Sequence, residues 1–231
     1  MCILLLNKLS VHLIFIFIFV ILYFVYLPRI QNGLGGRTIS ELLASIRNAP
    51  LAILIPAAFG GFMGSSMLIS ATSISRDAKF LPQIKSLPIN LGTYGLAKLC
   101  HGLIYGSAAI VVGTIPLIII FKLTPARALL SLMLAGAFIW LSNIAGLYLD
   151  TMRPRLKWDN PTAAFKQNMN ALAAVLAGMG LLAGIGIAAY FLKITISGII
   201  LGLLLPMAAG SAVLTWRYPG FAGRRLAELE L

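Results

Sequence analysis

The chain has 231 residues, with 18 Lys and Arg against 6 Asp and Glu, a formal charge of +12. Hydrophobic residues make up 60% of it and charged residues 10%, against about a quarter charged in a soluble domain. That balance excludes a soluble globular enzyme, a disordered tail and a disulfide scaffold, and it leaves a membrane protein.

A helix needs about 20 apolar residues to cross the hydrocarbon core. Six blocks in chain order meet or approach that length: 11–27, 51–72, 99–121, 128–149, 172–192 and 194–215. The expectation is an all-α polytopic protein, one transmembrane domain over 1–231. The first block follows Lys8 as a signal peptide would. It continues through Tyr23, Phe24, Tyr26 and Pro28 without a small-x-small cleavage site, so it reads as a retained span. Between it and the second block, Thr38-Ile-Ser-Glu41 is a capping box, and Leu42, Leu43 and Ile46 then share a face. A short helix on the membrane surface is expected there.

The basic residues lie between apolar blocks rather than along one amphipathic face, so nucleic acid is not the partner they point to. With a cytoplasmic N-terminus the inner side holds Lys8, Arg76, Lys79, Lys85, Lys98, Arg153, Arg155, Lys157, Lys166, Arg217, Arg224 and Arg225. The outer side keeps Arg29, Arg37, Arg47, Lys122, Arg127 and Lys193. The excess places both termini inside. Spans three and four, and five and six, then form hairpins with short outer turns. Trp216–Arg225 reads as an interfacial anchor and a polar tail.

Two inner connectors carry most of the polar residues. In 73–98, Ile74, Ala78 and Leu81 form a helical stripe, with Arg76, Asp77 and Lys79 off it. Pro82 is expected to end or kink that helix, and Pro88 to hold Leu87 extended. On pattern alone this is a solvated, lipid-facing connector. In 150–171, Asn160-Pro161 is a helix start that should run directly into span five. Arg153, Arg155, Lys157 and Trp158 suit the headgroup layer. Asp150 next to Arg153 reads as a local ion pair.

Inside the spans, Gly60/Gly64, Gly102/Gly106, Gly180/Gly184 and Gly198/Gly202 have the spacing that lets helix backbones meet in lipid, so spans two, three, five and six are expected to pack tightly. His12 and His101 lie near helix ends and read as interfacial anchors. Cys2 and Cys100 have neither metal nor redox spacing. No phosphate loop, zinc-protease or serine-hydrolase motif, chain of intramembrane carboxylates or channel filter occurs in the sequence. No enzyme activity, cofactor or metal site is expected of the chain itself.

The two connectors together resemble a known family. Ser73-Ile-Ser-Arg-Asp-Ala-Lys-Phe80 with Lys85-Ser-Leu-Pro-Ile89 resembles the S-x-S-R-E-G-K…K-S-x-P-I stretch of bacterial ABC-2 type permeases, in their ABC exporter group. Asp150-Thr-Met-Arg-Pro-Arg-Leu-Lys-Trp-Asp-Asn-Pro161 with Lys166-Gln-Asn168 is similar to that group's D-x-x-R-P-K-L-x-W-x-N-P…K-Q-N stretch. The pair, in order and two spans apart, covers the chain from about Leu51 onward. Asp77-Ala78 stands where the group has Glu-Gly. Members are usually longer, with another membrane half ahead, so a C-terminal portion of such a permease is an expectation.

The resemblance implies a permease subunit of an ATP-driven exporter in the bacterial inner membrane. Its power would come from a separate ABC ATPase, and a second permease half or a homodimer would complete the path. The first connector would be the ATPase-coupling element, with Ser75, Arg76, Asp77, Lys79, Phe80, Lys85 and Pro88 as its residues and the Ile74/Ala78/Leu81 stripe as a docking ridge. The second connector would contribute Asp150, Arg153, Pro154, Trp158, Asn160, Pro161 and Asn168. Three other readings stand beside it: a scaffold or assembly subunit that transports nothing, a non-functional C-terminal fragment of a longer permease, and a lipid-acting enzyme built on Asp150, Arg153, Asp159 and Lys166.

Overall fold

A computed structural model describes Glu41, 49–158 and 168–229. The first apolar block at 11–27, the capping-box segment apart from Glu41, and Asp159, Asn160, Pro161 and Lys166 lie outside the described residues. Among the described residues the chain is all-helical. Five helical runs are long and apolar enough to cross a membrane: Leu51–Ser86, Leu91–Ile120, Pro125–Met152, Met169–Ala189 and Ile196–Glu228.

Helix α1, Leu51–Ser65, ends where Leu68 takes a left-handed backbone (φ 54°). The expected single first connector helix is three short pieces. They are α2 (Ser73–Arg76), a 3₁₀ turn (Ala78–Phe80) and α3 (Leu81–Ser86). Pro82 was expected to stop a helix, but it lies in the first turn of α3, where its missing N–H is not needed. The break falls earlier, at Asp77. Leu87 is extended before Pro88 (φ −77°, ψ 146°), as the proline demands.

Helix α4, Leu91–Ala109, starts well before the apolar block at 99. Asn90 accepts hydrogen bonds from the amides of Gly92 (2.8 Å) and Thr93 (3.2 Å) and so sets the start. A π turn, Ile110–Thr114, precedes Pro116 and the short α5, Ile115–Ile120. The hairpin turn to α6, Pro125–Met152, uses Lys122 at φ 50°. Helix α7, Met169–Phe191, is capped by Asn168, whose side chain accepts from Asn170 N at 2.9 Å. Asn168 itself is extended (φ −90°, ψ 114°). The expected continuous helix from Pro161 into this span is therefore corrected: the span has its own start. After Lys193 (φ 46°) come α8, Ile196–Ile199, a π turn at Ile200–Leu204, and α9, Leu205–Glu228. The expected polar tail is thus helical, and Tyr218, Ala222 and Leu226 on it are fully buried.

Helix α6 is the hub. It packs against α1, α4 and α9. One apolar core lies at the end opposite the connectors and includes Ile53, Leu134 and Phe138; a second, at the connector end, includes Ile74, Leu81, Leu147 and Tyr218. Helix α7 is peripheral: 11% of its apolar window is buried, against 44% for α6. The small-residue expectation divides accordingly. A Cβ on Gly64 would lie 2.9 Å from Gly106 O, so the first two motifs do pack. Among the described residues Gly180, Gly184 and Gly202 meet nothing within 4 Å, and the nearest neighbours of Gly198 are Ile194 and Thr195 beside it, so the other two motifs make no close contact there.

Candidate functional site

The connector end of the bundle gathers the polar residues. Asp150, in the last turn of α6, is fully buried. Its carboxylate accepts from Ile74 N (2.7 Å), Ser75 N (3.0 Å), Ser75 Oγ and Asn170 Nδ2 (3.3 Å). The first two donors are free amides at the start of α2. Thr72, the residue that would ordinarily cap them, spends its hydroxyl on Leu68 O at 2.8 Å. A carboxylate from another helix therefore caps α2 across 75 residues of sequence. The expected ion pair with Arg153 is replaced by this network, and Arg153 is exposed.

Ser75 joins both connectors. Its Oγ donates to Asp150 and accepts from Arg155 N at 2.8 Å, while its carbonyl accepts from Trp158 Nε1 at 2.9 Å. The Lys79 ammonium lies 4.3 Å from the Trp158 ring centroid. Asn170 Nδ2 also donates to Arg153 O at 2.7 Å, closing the second connector onto α7. Pro154, between Arg153 and Arg155, is half-buried in this strap.

The rest of the first connector is tied to two further helices. Asp77 accepts from Tyr94 Oη at 2.6 Å and pairs with Lys98, both on α4. Lys85 donates to Ala227 O (3.2 Å) and Leu229 O (2.6 Å), where the carbonyls at the end of α9 favour a cation. Arg225 of α9 donates to Met152 O at 3.0 Å, and Thr151 and Tyr218 share a hydroxyl contact at 2.7 Å. Arg76 turns back along its own chain, donating to Ile69 O (2.9 Å) and Thr72 O (3.3 Å).

The expected docking ridge faces the other way. Ile74, Ala78 and Leu81 are buried in the bundle, because the helical stripe seals the connector onto α4, α6 and α9. The outward face carries Lys79, Phe80, Pro82, Gln83, Leu87, Pro88 and Ile89. Phe80, Leu87 and Ile89 are large apolar side chains left 57%, 54% and 46% exposed.

Tyr94, Asn170, Thr151 and Tyr218 join this cluster without a role expected from the sequence, and Lys98, expected only as an inner basic residue, pairs with Asp77. Asn170 carried a visible signal, two residues after the capping Asn168. Tyr218 carries none, since the polar residues around it have the composition of a tail. His101 lies against Tyr105 with the rings tilted (centroids 4.9 Å apart, 52° between planes). Among the described residues no group of His, Cys, Asp and Glu could hold a metal. Chemically the arrangement is a latch: Ser75 and Asp150 are sealed from solvent and have several partners. No protein-family model, no curated protein and no solved structure matches the chain.

Proposed function

We propose that the chain is the membrane subunit of an ATP-driven exporter of the ABC-2 permease type, driven by a separate ATPase that docks on the first connector. In this reading it lies in the bacterial inner membrane with six spans and both termini inside, and the block at 11–27 supplies the sixth span. A second permease half or a second copy completes the path.

One observation carries the reading. The first connector is latched to α6 through Asp150, to α4 through Asp77 and to α9 through Lys85, while its outer face leaves Phe80, Leu87 and Ile89 exposed. A partner that presses on those side chains moves three membrane-spanning helices at once. The partner must bind one conformation better than the other, or nothing shifts. Docking belongs to the outer face rather than to the buried Ile74/Ala78/Leu81 stripe. Asp150 is buried and held by four donors, which supports a structural role for it in the latch.

The test is co-purification in detergent with the ATPase encoded nearest to this gene. The wild-type chain is expected to retain the ATPase. Replacing Phe80 and Leu87 together by Ser should weaken retention by about tenfold or more, as loss of interface anchors does, with the unfolding midpoint unchanged. Equal retention by the double variant would sink the docking assignment. A folded wild-type chain that retains no ATPase would favour the scaffold reading.

A further inference from the structure

At the end of the bundle opposite the connectors lies a cavity of about 130 Å³ between α1, α6, α7 and the π turn that leads into α9. Its floor is Leu54, Ala57, Leu134, Phe138 and Met207, all buried. Ile55 and Gly186 stand at its rim and are exposed. The wall is apolar almost throughout. Water needs two to four polar partners to occupy such a space, and none is offered. An engineered apolar cavity of about 150 Å³ stays dry and takes one benzene-sized guest, so this one has room for a short run of methylenes.

Two further observations bear on the occupant. The rim opens onto the outer surface of α7, which exposes Leu176, Met179 and Ile187. Among the described residues nothing covers that surface, and an exposed apolar face on a spanning helix meets hydrocarbon, which makes the cavity continuous with the lipid interface. It also lies where the last span is wound as a π turn, Ile200–Leu204, ahead of Pro206. Leu203 of that turn lines it. Such turns are rare and concentrate at functional sites.

We infer that this cavity binds a short segment of one acyl chain of a bilayer phospholipid, which enters sideways between Ile55 and Gly186. The inference rests on the chain spanning a bilayer, not on the exporter reading. Floor residues on three helices hold the chain by burial alone, and the absence of polar groups leaves the headgroup at the surface.

Gly186 offers a clean plug, because a Cβ there meets nothing within 4 Å. Gly180 on the same helix is equally open and does not line the cavity, so it serves as the control. The full chain would be placed in phosphatidylcholine vesicles containing a phosphatidylcholine with a diazirine halfway along one acyl chain. After irradiation, adducts would be mapped by mass spectrometry. Adducts are expected on Phe138, Leu134 and Met207 as well as on the outer face of α7. Gly186→Phe should cut the floor adducts at least about tenfold, a difference of about 1.4 kcal/mol, and Gly180→Phe should leave them in place. Ala58→Leu, from the opposite wall, should act like Gly186→Phe should that variant fail to fold. Wild-type adducts confined to exposed side chains such as Leu176 would overturn the inference. That result would also follow from the chain's own 11–27 block occupying the cavity. Undiminished floor labelling in the plugged variants would overturn it too.

Discussion

Replacing Asp150 by Ala is expected to destabilise the chain by about 3–5 kcal/mol, because several hydrogen bonds to one buried carboxylate are lost together. The loss has a local origin. Ile74 N and Ser75 N, at 2.7 and 3.0 Å from the carboxylate, would be left as buried orphan donors at a helix start. Ser75 Oγ would lose its acceptor, and Asn170 would lose one of its bonds. Each unsatisfied buried group costs about 1–3 kcal/mol, and four donors are affected. The sum would exceed the expected total, because relaxation lets water reach part of the site.

Asp150→Asn separates charge from shape. The amide keeps one acceptor oxygen but turns N–H donors toward groups that are themselves donors. Its expected cost is about 1–3 kcal/mol, below that of Ala. The measurement is a denaturant titration in mixed micelles, with hydrogen exchange read at single amides. Ile74 and Ser75 should exchange far faster in Asp150→Ala, while amides at the cavity end of α6 should not change. A loss below about 1 kcal/mol, or uniform acceleration along α6, would show that Asp150 is no cap.

This network also marks what the sequence could and could not disclose. Five of the six expected spans were legible because length and apolarity are properties of one segment at a time; the block at 11–27 lies outside the described residues. The start of α7 was not read correctly from the sequence: Asn160-Pro161 is the stronger local signal for a helix start, whereas the cap is Asn168, which the sequence singles out only through the family resemblance. The Ile74/Ala78/Leu81 stripe was found, yet its direction was misjudged. Periodicity shows that a face is apolar and not whether it meets a partner or the chain itself. Here α4, α6 and α9 cover it. The Asp150–Arg153 pairing failed for a related reason. Adjacent opposite charges look satisfied, but burial rewards an acceptor that can reach many donors, and those lay on α2 and α7. Tyr218 was beyond reach, since polar residues around it mask a helix that continues past the apolar block.

The glycines should divide sharply in a second titration. Helices α4 and α9 touch backbone to backbone at Gly92, where a Cβ would lie 2.4 Å from Pro219 O and 2.8 Å from Pro219 Cα. Backbone cannot swing aside as a side chain does, so the helices must part. Gly92→Val is expected to cost about 3 kcal/mol, the upper end of overpacking. The loss should be largest at the connector core, because α9 also carries Tyr218 and receives Lys85. Gly60→Val should cost a similar amount: a Cβ there would lie 1.9 Å from Thr114 Oγ1 and 3.0 Å from Thr114 N. The hydroxyl could rotate, but Thr114 N is backbone and cannot, so the helix must give way there. Gly180→Ala and Gly184→Ala meet open space and gain helix propensity of up to about 1 kcal/mol, so they should be neutral or slightly stabilising. A cost at Gly180 or Gly184 as large as at Gly60 would contradict the peripheral place of α7 and put a second helix against it. An unchanged midpoint for Gly92→Val would mean that α4 and α9 do not meet at Pro219.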